Sequence, residues 1–277
     1  MLSKRLFTAA IGIPLVIYLL HTGGMFFSLA VAILAIAALF ELNNMAKKNS
    51  AGIYAFSAMI PSVLMSVAAF YYNQPIFIFY IFTSAVLLIL LEGVFRYNDE
   101  KWLNKNLYSI LAVCYIGLFF SIFILLRHID ITPDLETSFG SMQQGEVFLW
   151  LALLGTWSSD TFAYFIGSAF GKNKLCPKIS PNKSWEGAIA GFLGCVAVVW
   201  YAGENVFFVH NINLIIFGIL IGFFAPLGDL AESQIKRFSG VKDSGSFFPG
   251  HGGVLDRLDS LLFVIPAVYI FINLTFR

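Results

Sequence analysis

Leu214–Leu230, LIIFGILIGFFAPLGDL, and Leu258–Leu274, LDSLLFVIPAVYIFINL, are apolar runs long enough to cross the hydrocarbon core of a bilayer once tilt is allowed. They bracket Ser233–Asp259, SQIKRFSGVKDSGSFFPGHGGVLDRLD. That stretch gathers Lys236, Arg237, Lys242, Asp243, His251, Asp256, Arg257 and Asp259 around five glycines, in a chain with only 12% charged residues. Charges of both signs beside membrane-length runs mark a functional site rather than a solvated face. Gly245, Gly250, Gly252 and Gly253 let backbone N–H groups turn toward a bound anion where a side chain would block the approach. Phosphate is the natural candidate.

Outward from this stretch the same pattern repeats. Apolar runs occupy about residues 6–20, 25–42, 53–72, 76–91, 107–126, 147–170 and 188–201 as well. The chain is therefore expected to be an all-α integral membrane protein, a polytopic bundle of about nine transmembrane helices. A composition 58% apolar with a mean hydropathy of +0.81 excludes a soluble domain of this length. The basic start and first apolar run look like a signal peptide, but no small-x-small cleavage pattern follows, so the run is read as a retained helix. With the N-terminus in the cytoplasm, 17 Lys and Arg divide so that only Arg127 and Arg277 fall on the outer side. That assignment places the loops 171–187 and 231–257 together on the cytoplasmic face. One transmembrane domain, 1–277, is expected, with helices of 1–106 as scaffold and 107–277 carrying the two catalytic loops.

A formal net charge of +1 excludes a nucleic-acid binder that works by bulk attraction. Cys114, Cys176 and Cys195 form no C-x-x-C pair and read as packing residues. Glycine pairs at four-residue spacing, Gly167/Gly171, Gly187/Gly191 and Gly218/Gly222, read as places where helices approach closely.

Several polar residues point to chemistry. Asp229 ends one apolar run, and Asp256 and Asp259 open the next, three residues apart and so on one helical face. Two readings stand for these acids: salt bridges to Lys236 and Arg257, or a divalent cation held by Asp229 and Asp256. In the loop 171–187, Ser184 is placed to cap the following helix, with Glu186 in its first turn. Ser180, Lys183 and Ser184 would grip phosphates at that helix start, or the loop is a plain basic segment touching acidic lipid. Asp160, inside an apolar run beside Ser158, Ser159 and Thr161, is either a functional acid or a helix-packing acceptor. His251 fits a loop residue that orients phosphate, or a general base.

The spacing S-x-I-K-R-x-x-x-x-K-D-x-G-x-x-F-P-x-H-G-G-V-x-D-R-L-D resembles the signature of the phosphatidate cytidylyltransferase (CDP-diacylglycerol synthase) family. Ser159-Asp160-Thr-Phe-Ala-Tyr164, Phe170-Gly171-Lys172 and Ile179-Ser-Pro-Asn-Lys-Ser-Trp-Glu-Gly187 are similar to that family too. The match covers roughly the C-terminal half. It implies a membrane enzyme that joins CTP and phosphatidic acid to give CDP-diacylglycerol and pyrophosphate, with Mg2+ required, a monovalent ion such as K+ beside it, and a homodimeric state in the inner membrane of the cell. Carried over by residue, Asp229 and Asp256 would be metal ligands. Lys236, Arg257, His251 and Asp259 would join them in catalysis. Arg237, Lys242, Asp243, Gly252, Gly253, Asp160, Ser180, Lys183 and Ser184 would contact substrate.

The residue types suit that reaction. A phosphate monoester is largely dianionic at neutral pH, its second pKa being about 6, so the nucleophile arrives ionised and needs no strong base. What it needs is relief of repulsion between anions, which cations must supply. A CTP-dependent lipid kinase and a transporter of an anionic solute are the rival readings. Transport is disfavoured because no pair of broken helices at the bilayer midplane is evident.

Overall fold

The computed structural model describes residues 2–49, 52–97, 100–130, 134–210 and 213–275. Side chains are described from residue 8 onward, except residue 9, so Lys4, Arg5 and Arg277 of the charge count lie outside that description. Among the described residues nine helices follow one another: α1 (Leu2–Thr22), α2 (Gly24–Lys48), α3 (Ala55–Tyr72), α4 (Pro75–Phe95), α5 (Trp102–Arg127), α6 (Gln144–Phe170), α7 (Trp185–Asn205), α8 (Asn213–Phe238) and α9 (Leu255–Thr275). Each corresponds to one apolar run of the sequence. Among the described residues seven of them, α2 to α5 and α7 to α9, are long and apolar enough to span a membrane. Helix α1 adds the shorter apolar piece Ala10–Thr22, and α6 is 27 residues long but broken in polarity by Thr156 to Thr161. The protein is a polytopic all-α membrane protein.

The chain divides into two compact units. The first comprises Met1–His128 with Ile235–Leu258, and the second Ile129–Gln234 with Asp259–Arg277. Helices α8 and α9 therefore each give residues to both.

In the first unit lipid offers no apolar driving force between helices, so close packing and polar contacts hold them together. Leu39, Leu42, Ile89, Ile116, Ile124 and Leu126 are fully buried. Ser57 donates to Glu92 at 2.7 Å between α3 and α4, and the Tyr54 N–H donates to Ser109 Oγ of α5 at 2.9 Å. Helix α3 opens with a π-helical turn, Ala55–Met59, and α5 contains another π stretch, Ala112–Leu118.

The α1–α2 turn is tied down by Arg127, which is 1% exposed. Its Nε donates to the Leu20 carbonyl at 2.7 Å and Nη2 to that of His21 at 3.2 Å. A cation therefore meets the carbonyls that the end of α1 leaves without helical partners. Gly23 makes this approach possible. Its φ is +57°, and an added Cβ would lie 2.6 Å from the guanidinium carbon of Arg127.

The second unit is built on the pair α6 and α7. They run antiparallel, because Gly167 near the end of α6 meets Gly187 at the start of α7, while Gly155 meets Val199 near the far end. Gly191 packs on the Ser159 carbonyl, Gly218 of α8 on Val196, and Gly222 on Phe192. Two of the three four-residue glycine pairs, Gly187/Gly191 and Gly218/Gly222, thus lie at helix crossings with both members in contact. Two small hairpins complete the unit. Strand β1 (Leu135–Thr137) pairs antiparallel with β2 (Gly140–Met142), and β3 (Lys174–Cys176) pairs with β4 (Ser180–Ser184) between α6 and α7.

Gly23→Ala should lower stability by about 1–3 kcal/mol, the cost of a strained positive-φ residue, with the contact to Arg127 adding to it. Gly24, the next residue, also has a positive φ, +50°, but open space around it, so Gly24→Ala is the control and should lower the unfolding temperature in detergent less than Gly23→Ala does. Equal shifts for the two variants would remove the role assigned to Arg127.

Candidate active site

In the second unit α6, the β3–β4 hairpin, α7 and α8 enclose a cavity of about 580 Å3. Asp160, Lys183, Ser184 and Asp229 all line it. Lys183 Nζ lies 2.7 Å from Asp229 Oδ2 and 3.5 Å from the Pro226 carbonyl, and Ser233 donates to Asp229 Oδ1 at 3.2 Å. Asp160 is exposed in this cavity and interacts electrostatically with both Asp229 and Lys183. Two carboxylates, Asp160 and Asp229, and two lysines, Lys174 and Lys183, thus line a space bordered by apolar helices. The salt bridge expected between Asp229 and Lys236 or Arg257 is instead made to Lys183, which lies 46 positions earlier in the chain.

Ser184 caps α7 as expected, its Oγ accepting the Gly187 N–H at 3.2 Å. It also fills the space beside Gly167 and Gly171. Glu186 accepts from the Asn173 backbone N–H at 3.2 Å and from its side chain at 2.8 Å, so the first-turn acid fastens the basic loop. Ser180 pairs with Cys176 at the opposite end of β4 from Ser184 and does not line the cavity. Asp259 accepts the Ser260 N–H at 2.7 Å, and its carbonyl packs against Gly228 of α8.

The signature loop belongs to the first unit. Lys236 Nζ and Asp256 Oδ1 are 2.7 Å apart, with the two side chains only 11% and 6% exposed. Asp256 Oδ2 accepts from the Ser244 N–H at 2.9 Å, Ser244 Oγ at 2.9 Å and the Gly253 N–H at 2.8 Å. Lys236 and two backbone N–H groups are standing donors to Asp256, and the Ser244 hydroxyl, with its single proton, is a fourth only when it turns that way. The salt-bridge reading of Asp256 is therefore realised with Lys236. Arg237 donates to the Val241 carbonyl at 3.0 Å, while Lys242, Asp243 and Arg257 are exposed. His251 and Gly252 form a tight turn with Phe248, and His251 Nδ1 is buried with no hydrogen-bond partner among the described residues.

The sequence reading missed Glu41. This α2 residue is 7% exposed and accepts the Val254 N–H at 2.8 Å, the Leu255 N–H at 3.0 Å and Ser244 Oγ at 2.9 Å. An acid inside the apolar run 25–42 was the available signal, of the same kind that singled out Asp160. In the loop, the N–H groups of Gly253, Val254 and Leu255 face anions, as the glycines suggested, but those anions are the protein's own carboxylates.

Comparison with known proteins places these residues in context. The model of the cytidylyltransferase family matches residues 3–275. A Bacillus subtilis (strain 168) protein named phosphatidate cytidylyltransferase is 32% identical over 99% of this chain and 98% of its own length. A Thermotoga maritima protein of the same name is 33% identical over 97% of this chain and 95% of its own length. An Arabidopsis thaliana protein, phosphatidate cytidylyltransferase 5, chloroplastic, is 36% identical over 70% of this chain and half of that relative.

The two ion pairs differ in exposure, and their removal should differ accordingly. Lys236→Ala leaves a buried carboxylate facing no cation and should cost about 3–5 kcal/mol. In Lys183→Ala the cavity pair is a quarter to a third exposed, and the loss should stay below about 1 kcal/mol. Unfolding of both variants in detergent checks this, and the reverse order would overturn the burial argument.

Proposed function

Because the chain belongs to the cytidylyltransferase family, we propose that it is a phosphatidate cytidylyltransferase, which joins CTP and phosphatidic acid to give CDP-diacylglycerol and pyrophosphate. The observation that carries this reading is the cavity in which Lys183, Asp229 and Asp160 meet among membrane helices. Near-complete alignment with relatives of that name supports it.

The reaction forms a bond from a phosphate oxygen of the lipid to the α-phosphorus of CTP and breaks the bond from that phosphorus to the bridging oxygen of the leaving pyrophosphate. Both reactants are anions, so the barrier is mainly electrostatic and positional. Lys183 supplies positive charge beside the cavity, and its hold on Asp229 fixes where that charge lies. On the resemblance to the family, Lys242 and Arg257, both exposed on the first unit, are proposed as phosphate contacts as well. Ser184 keeps the α7 N-terminus in place behind Lys183.

Magnesium takes oxygen ligands and is commonly held by one or two carboxylates plus substrate phosphates. The cavity fits that requirement through Asp229, with Asp160 beside it. Asp256, expected as the second ligand, would have to release Lys236 or one of its three other donors to reach a cation. We therefore propose Asp229 as the standing ligand. Bound there, the ion would neutralise the triphosphate and favour departure of pyrophosphate.

The active-site face is proposed to be cytoplasmic, in the cell membrane, on the strength of the Lys and Arg distribution. The homodimer and the monovalent ion are proposed on the family resemblance.

The test is transfer from α-labelled CTP to phosphatidic acid by the purified protein, with and without a chelator. Label should appear in the lipid and vanish on chelation, and γ-labelled CTP should give no lipid label. Asp229→Asn should lower kcat by at least about 100-fold, the scale of a lost transition-state charge contact, while its partly exposed pair with Lys183 keeps stability within about 1 kcal/mol. Normal magnesium-dependent turnover in that variant would overturn the ligand assignment, and γ-label in the lipid would overturn the transfer itself.

A further inference from the structure

We infer that Glu41 is a positioning residue for this reaction, setting the Asp256 carboxylate and the start of α9 from within α2. The inference rests on the transferase reading above. It starts from the contacts of a carboxylate in the N-terminal half of the chain, which the signature motif does not include.

Glu41 Oε1 accepts the Val254 N–H and Oε2 the Leu255 N–H. Leu255 is the first residue of α9, so the charge sits where an unsatisfied helix N-terminus favours an anion. Ser244 Oγ is 2.9 Å from Glu41 Oε2 and also 2.9 Å from Asp256 Oδ2. A hydroxyl carries one proton, so Ser244 donates to one carboxylate at a time and couples the two. The Asp256 N–H in turn donates to Ser244 Oγ at 3.3 Å. Glu41 therefore reaches Asp256 by two routes, through Ser244 and through the helix start.

Two glycines of the signature owe their identity to the same group. A Cβ on Gly245 would stand 2.6 Å from Glu41 Oε1, and one on Gly253 would meet Ser244 Oγ and stand 2.5 Å from both Glu41 carboxylate oxygens. Contacts this short force something to move. The glycines are thus spacers for an internal carboxylate.

Glu41→Gln keeps the shape but turns one acceptor into a donor facing donors. In the full-length protein in detergent it should lower kcat about 10-fold or more, the scale of a lost hydrogen bond to a charged group, with KM for CTP changed by less than about twofold. Ser244→Ala should lower kcat similarly, and the double variant should be no slower than the worse single one, because both act through Asp256. Losses that multiply, to about 100-fold, would overturn the shared route and leave Glu41 as a plain helix cap. Unchanged kcat in Glu41→Gln overturns the proposal outright. Should that variant fail to fold, Gly245→Ala, which meets Glu41 and not Asp256, replaces it: a fall in kcat alone is expected, and wild-type kcat overturns the proposal. Amide exchange at Val254 and Leu255 separates this inference from the transferase reading. If the wild type makes no CDP-lipid, the transferase reading fails. Faster exchange at those amides in Glu41→Gln still supports the contact, and unchanged exchange overturns it.

Discussion

Glu41 holds a carboxylate within an apolar helix where 7% of the residue is exposed, and so deeply placed a charge persists only when donors surround it. Two backbone N–H groups and a serine hydroxyl do so. The loop between α8 and α9 has to bring those groups to one point, and its course follows from that demand. Gly245 and Gly253 are small because the carboxylate occupies the space beside them. Asp256, one residue past the amides that Glu41 accepts, is then within reach of Ser244, Gly253 and Lys236.

A different economy of charge governs the second unit. Glycines along α6, α7 and α8 bring backbones close, with Gly191 on the Ser159 carbonyl and Gly218 on Val196. Dispersion and close packing are what hold helices together in lipid. Lys183 and Asp229 offset each other at the cavity while a quarter to a third of each side chain stays exposed. A pair that remains partly solvated exchanges partners at little cost, which suits a site that receives anions. The buried Lys236–Asp256 pair is closed in and suits a loop that must stay put.

Much of the fold was legible because bilayer thickness sets the length of a spanning helix and apolar runs report that length directly. All nine runs became helices, with ends that moved by a few residues where caps and turns decide them, as at Trp185 and Asn205 of α7. The β1–β2 and β3–β4 hairpins were not legible, being three to five residues per strand without apolar alternation. Within the site, Ser184 was readable as a cap because capping is local. Lys183 and Asp229 were each singled out, yet their pairing was not, since it joins residues on separate elements.

The sequence by itself determined a helical membrane protein, the two charged loops and the motif that assigns the family, since run length, local charge and residue spacing are properties of the linear chain. Only tertiary structure decided which cation meets which carboxylate, and that the loop amides face Glu41 rather than open space. That choice depends on which helices pack side by side: α2 reaches the loop before α9 across more than 200 intervening positions. A carboxylate's partners are set by distance in space, and no periodicity along the chain encodes it.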